Sequence, residues 1–329
     1  MTFIFYILNF TSEYLTRILT YLNRGKMAKF HPKNILILLS FLPIIVFSVG
    51  TSISQTQSLG EPEEPDFFFV TGGPYTQQKG SPQIIWANQL LWTKLGNLNS
   101  RDLSGSGRFE LGLTDRWELD FEFGFLQLRE RLNKTSLSSE GGSDDLLFGI
   151  RYRLLDESVA PFTLTLGPQV LAPVASRSHG LGVGKIGYAG DITLGKDWGH
   201  SVFAVTSING IWRPNVPTFP DGSGPQVDLA EIVLSAALGF RAIEHPTTRG
   251  THHDLHVFTE INSAYIQELE TREKIHSAQY TFAPGVRYGF TSSSGNLTEV
   301  GLSLPIGLNN VTPGWGFIVQ FQFEMAGIQ

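Results

Sequence analysis

Apolar and polar residues alternate without a break in the stretch WELDFEFGF, residues 117 to 125. Trp117, Leu119, Phe121, Phe123 and Phe125 hold the odd places, and Glu118, Asp120, Glu122 and Gly124 the even ones. Successive side chains of a β-strand point to opposite faces, so one face here is wholly apolar and the other carries three carboxylates. The same period of two recurs from residue 83 onward, in segments near 83–92, 106–114, 117–128, 144–154, 161–171, 187–197, 200–210, 228–241, 254–267, 277–288, 297–307 and 314–325. Segment 144–154 sets Phe148, Ile150, Tyr152 and Leu154 against Gly149, Arg151 and Arg153. The last sets Trp315, Phe317, Val319, Phe321 and Phe323 against Gly316, Gln320, Gln322 and Glu324. No helical period of useful length competes with this pattern. Segment 200–210 (within GHSVFAVTSING) is ambiguous in phase.

A soluble sheet hides its apolar face and wets the polar one; a membrane barrel does the reverse. The connections separate the two. Short ones at 114–116, 156–161, 197–200 and 292–296 alternate with long ones at 93–105, 129–143, 172–186 and 211–227, rich in Gly, Ser, Asn and Pro. Outer-membrane barrels have short periplasmic turns and longer outer loops, whereas a sandwich has no reason to sort its loops this way. EHPTTRGTHH (244–253) is the exception, too long for a periplasmic turn. The expected fold is all-β: a single antiparallel up-and-down transmembrane β-barrel of about twelve strands in the bacterial outer membrane. Trp86, Trp92, Trp117, Trp198, Trp212 and Trp315 would supply its interfacial girdles.

Composition agrees. Charged residues make up 16% of the 329, well below the ~25% of ordinary soluble domains. The chain has 24 phenylalanines and 35 glycines, yet its mean hydropathy is close to zero. That combination fits apolar residues that are alternated rather than blocked. A formal charge of −6 argues against a nucleic-acid partner, which needs a basic footprint. There is no cysteine, hence no disulfide framework or thiolate metal site.

The N-terminal part divides by composition. Residues 1–26 read as an over-extended start. Residues 27–54 have a signal-peptide layout, with Lys29, His31 and Lys33 before an apolar core from Ile35 to Val49 and small residues after it. That core is 15 residues long, shorter than the ~20 a spanning helix needs. Residues 55–82 follow as a polar periplasmic lead-in, 83–325 as the barrel and 326–329 as a tail.

Two hairpins carry a resemblance. FELGLTDRWELDFEFGF (109–125) and DDLLFGIRYRLLDESVAP (144–161) resemble the outer-membrane β-barrels of the meta-pathway phenol-degradation family, as do TFAPGVRYGF (281–290) and VGLSLPIGL (300–308). The resemblance implies a porin-like transporter for uptake of small, aromatic or hydrophobic compounds. One departure is that Glu324 to Gln329 follow Phe323, where such barrels end on an aromatic residue. The barrel assembly machinery would then read Phe321 or Phe323 from inside the chain.

If the aromatic faces meet lipid, the lumen receives Glu110, Glu118, Asp120, Glu122, Arg151, Arg153, Glu260 and Arg287, with Glu231, Arg241 and Glu324 further candidates. Acids of segment 117–128 can oppose arginines of 144–154 across the sheet. Such a ladder either guides a solute or fills a narrow barrel and keeps it shut. THHDLH (251–256) sets His252, Asp254 and His256 on one face, with His253 opposite, but no metal site is expected at what reads as a turn. GVGKIG (182–187) lacks the strand and helix that a dinucleotide site requires. No serine and histidine share a distinctive spacing, so neither catalysis nor a cofactor is expected. The expected partners are outer-membrane lipid, a small-molecule solute and the assembly machinery. A surface barrel whose loops bind a partner is the alternative function, and a barrel lipid hydrolase a more remote one.

Overall fold

The computed structural model describes residues 71–95, 98–132, 135–175, 184–198, 201–217, 224–246, 251–268, 276–310 and 312–326. The over-extended start and the signal peptide lie outside the described residues. Within them the chain forms β1 (Pro82–Leu95), β2 (Leu98–Thr114), β3 (Trp117–Leu132), β4 (Thr135–Ser143), β5 (Leu146–Leu155), β6 (Thr163–Ala172) and β7 (Gly187–Trp198). Then follow β8 (Val202–Pro217), β9 (Gln226–Pro246), β10 (His252–Glu268), β11 (His276–Thr291), β12 (Leu297–Ser303), β13 (Ile306–Gly307) and β14 (Trp315–Glu324). No helix occurs among the described residues.

The sheet closes. Pairing is antiparallel throughout, and β14 pairs back onto β1 from Gln83↔Glu324 to Trp92↔Trp315. Twelve staves result, because two of the fourteen strands are not separate ones. β4 pairs only with the outer half of β3, and β13 continues β12 beyond Pro305, pairing with β11 and β14. A sheet in lipid must close in this way, since an open edge would leave backbone groups without partners.

Burial is inverted relative to a soluble protein. Along β14, Trp315, Phe317, Val319 and Phe321 are exposed while Gly316, Ile318, Gln320 and Gln322 are buried. On β3, Trp117, Leu119, Phe123 and Phe125 point outward and Glu118 and Asp120 are buried. The largest fully buried side chains include Arg287, Gln83, Gln322, Glu110, Glu118, Glu260 and Glu299. Water cannot favour such an arrangement; lipid can. From Trp117 to Phe125 the apolar belt runs roughly 27 Å along the strand, or about 20 Å along the membrane normal at a tilt of ~40°. Trp92 stacks on Trp315 (4.5 Å) and Tyr188 on Trp212 (5.8 Å) near the end with the longer connections, and Trp117 meets Tyr152 (4.4 Å) at the other. The chain is an outer-membrane β-barrel.

Two local expectations needed revision, and one open phase is fixed. Much of the supposed long loops 93–105 and 129–143 is strand: β1 and β2 stay paired to Leu95↔Leu98, and β3 and β4 to Leu132↔Thr135. Serines and glycines prolong a hairpin when the opposite strand supplies the hydrogen bonds. The anomalous connection 244–253 also shortens, because β9 and β10 pair as far as Pro246↔His252. Strand β8 takes the phase that points Phe203, Val205 and Ser207 inward and Ile208 and Trp212 outward. Its inward phenyl ring fits because Gly239 lies opposite it on β9.

Candidate permeation path

All eight sequence candidates belong to the inner face, but they divide into unlike groups. On β2, β3 and β5 the charges interlock. Arg108 Nη1 lies 3.2 Å from Glu110 and its Nε 3.3 Å from Glu122. Arg151 and Glu118 are cross-strand partners, with Nη1 donating to Oε1 over 3.1 Å. Asp120 is buried on the same face. Arg153 has a different neighbour from the one anticipated: its Nη2 donates to the Asp115 carbonyl in the β2–β3 turn, so it braces the rim. Arg108 was missed as a candidate, although its parity with Glu110 marks it as inward.

The inner end of this ladder is engaged by a stretch of chain that belongs to no stave. Residues 71–77, part of the expected periplasmic lead-in, lie inside the barrel and are buried except for Gly72. The Gln77 amide donates to Glu118 over 2.5 Å, and its side-chain amide to Glu110 over 3.4 Å. Arg151 donates to the carbonyls of Tyr75 (3.2 Å) and Gly73, and the Thr165 hydroxyl to the carbonyl of Pro74. The Thr71 amide donates to Glu260 of β10 over 2.9 Å. The segment thus reaches from β3 past β5 and β6 to β10. Two glycines admit it: a Cβ on Gly112 would stand 2.0 Å from the Gln78 carbonyl oxygen, and one on Gly195 would stand 2.3 Å from Pro74 Cγ. Period-two analysis could not reveal this, since a segment paired to side chains leaves no alternating signature.

The segment also meets the periplasmic turn. The Tyr75 hydroxyl donates to Glu157 over 3.4 Å, and the same carboxylate takes the Asp197 amide (2.8 Å) and the Lys196 ammonium. Withdrawal from water raises the Glu157 pKa above the ordinary glutamate value, against the pull of Lys196 and the Asp197 amide. Its neighbour Asp156 moves the other way, lowered first by the Ser158 hydroxyl that donates to it.

A second polar group occupies the opposite wall. Arg287 donates to Glu299 (3.2 Å), Gln322 (3.3 Å) and Gln320 (2.7 Å). Arg241 Nε donates to His256 Nε2 over 3.1 Å. Asp254, His256 and Glu299 bring potential ligand atoms within 4.8 Å of one another. The two guanidiniums match the two carboxylates in charge, and Arg241 engages His256 Nε2, so the cluster is a charge-compensated network. His253 points the other way and meets the Tyr288 hydroxyl. Beside this group Phe203, Val205, Ala237, Phe258 and Leu297 form a small apolar cluster.

Toward the outer end the lumen opens into a cavity of about 300 Å³ bordered by Ser104, Glu122, Asp144, Asp145, Leu171 and Arg213. Arg213 lies 3.4 Å from Asp145. The cavity is of a size that suits a small organic molecule.

No family model and no curated protein matches the chain. Solved structures of other barrels align with this one. An outer membrane channel from Pseudomonas putida F1 aligns with a TM-score of 0.53 at 17% identity, over 77% of this chain and 97% of that one. The beta domain of the Bordetella autotransporter BrkA aligns at 0.48 and 10% identity, over 74% and 99%. At 17% identity the likeness to the Pseudomonas channel bears on the architecture alone.

Proposed function

We propose that the protein is a channel through which a small molecule crosses the outer membrane. The observation that carries the reading is a charged, cavity-bearing lumen whose inner end is narrowed by residues 71–77, held to the wall by hydrogen bonds. A purely structural filling would be expected to come from wall side chains alone. Here a segment outside the wall does it, through bonds that can break without opening the sheet. In this reading Glu110, Glu118, Asp120, Glu122, Arg151, Glu260 and Arg287 line or border the path, with Arg153 at its rim, and no residue has a catalytic role. The resemblance to the phenol-degradation barrels favours a small aromatic or hydrophobic solute.

Planar-bilayer recordings test the proposal. Deleting residues 71–77 is expected to raise single-channel conductance, and neutralising Glu118, Asp120 and Glu122 to shift the reversal potential in a salt gradient. Unchanged conductance in the deletion, in a barrel that still shows heat-modifiable gel mobility, would refute the narrowing role. Unchanged selectivity would remove the three carboxylates from the path.

A further inference from the structure

The outward face has one feature that the channel reading does not use. Trp315, Trp92, Arg101 and Arg129 are successive cross-strand partners on β14, β1, β2 and β3, all on the face turned away from the lumen. Both arginines are exposed. They stand directly opposite each other, a placement in which like charges repel and destabilise the sheet. The nearest carboxylate on β2, Asp102, belongs to the inner face and takes the Ser100 hydroxyl. On β3 the apolar belt ends at Phe125, and Arg129 follows two outward positions later. Aromatic girdles mark the level at which lipid headgroups begin. Two guanidiniums beside such a girdle, at the end with the longer connections, therefore stand at the headgroups of the outer leaflet.

We propose that Arg101 and Arg129 form a lipid-binding site that clasps a phosphate of a phosphorylated outer-leaflet glycolipid, its acyl chains lying along the Trp92–Trp315 side of the wall. A guanidinium presents a planar fork that matches phosphate oxygens, and a phosphate between two arginines turns their repulsion into a bridge. The site is independent of what passes through the lumen.

Native mass spectrometry of the full chain in detergent tests it, with bisphosphorylated lipid A and its dephosphorylated form as probes. The wild type is expected to hold the phosphorylated form at least ~10-fold more tightly, the equivalent of ~1.4 kcal/mol. In Arg101→Gln/Arg129→Gln that preference should vanish. Arg116→Gln, an exposed arginine at the other rim, should keep it. Equal binding of the two lipids by the wild type would overturn the site, as would a double variant that discriminates as the wild type does. The wild-type comparison needs no variant, so a folding defect in the double variant cannot mask the result.

Discussion

Replacing Arg151 by methionine tests how the inner segment is held. Arg151 is 6% exposed and Glu118 0%, and their charged atoms lie 3.1 Å apart. At an effective dielectric near 20 that separation corresponds to about 5 kcal/mol of attraction. Burying each ion costs several kcal/mol, so the pair's net worth is small. Removing one partner is another matter, because Glu118 keeps its charge and its burial. Arg151→Met should cost about 3–5 kcal/mol, and it also strips a donor from the carbonyls of Gly73 and Tyr75. Glu118→Gln keeps an acceptor for the Gln77 amide and should cost less. The double variant leaves no buried charge at either position and should be more stable than the sum of the singles predicts, by ~2 kcal/mol or more. Urea unfolding of the barrel refolded into thin lipid vesicles measures all four corners of the cycle. If the singles add to the double within ~0.5 kcal/mol, the two side chains do not interact and the account of the segment's anchorage fails.

Other outcomes follow from the same geometry. Gly112→Ala forces a methyl against the Gln78 carbonyl; the segment should lift and conductance rise, while heat-modifiable mobility stays that of a closed barrel. A conductance equal to wild type would show that the segment does not rest on this glycine. Glu157 binds its proton more tightly in the folded state than in the unfolded one, so its contribution is greatest below the ordinary glutamate value, ~4.3, and is lost as pH rises through the raised folded value. Glu157→Gln should remove that part of the pH dependence of the unfolding midpoint, and parallel profiles for variant and wild type would contradict it. Asp156 has the opposite sign: its lowered pKa makes its contribution present near neutrality and lost as pH falls through the depressed value. Asp156→Asn should therefore lower the midpoint slightly at pH 7 and not at all in strong acid; an equal loss at both would remove the charge from the explanation.

Much of the wall was legible residue by residue. WELDFEFGF declared its two faces, as did the last strand, and the parity that set Glu118 inward also set Arg151 opposite it. The sorting of turns from loops holds for 172–186, whereas the hairpins at 93–105 and 129–143 continue as strand beyond the apolar segments. Those extensions were hidden because Ser, Gly and Asn carry no strand signal of their own; Leu98 and Ser100 are strand because Leu95 and Thr93 pair with them. Segment 200–210 was ambiguous because both of its faces contain apolar residues, and the space over Gly239 accommodates the Phe203 ring on the inward face.

The amino-acid sequence by itself determined the strand period, the apolar outer face and the polar inner one, since each depends only on residues two apart in the chain. Tertiary structure alone decided what the inner charges touch. Glu260 meets the amide of Thr71, and Arg153 donates to the carbonyl of a turn. Those contacts join residues distant in the chain and require a closed wall with a segment lying inside it. Closure sets which side chains share the lumen, and no local pattern carries that information.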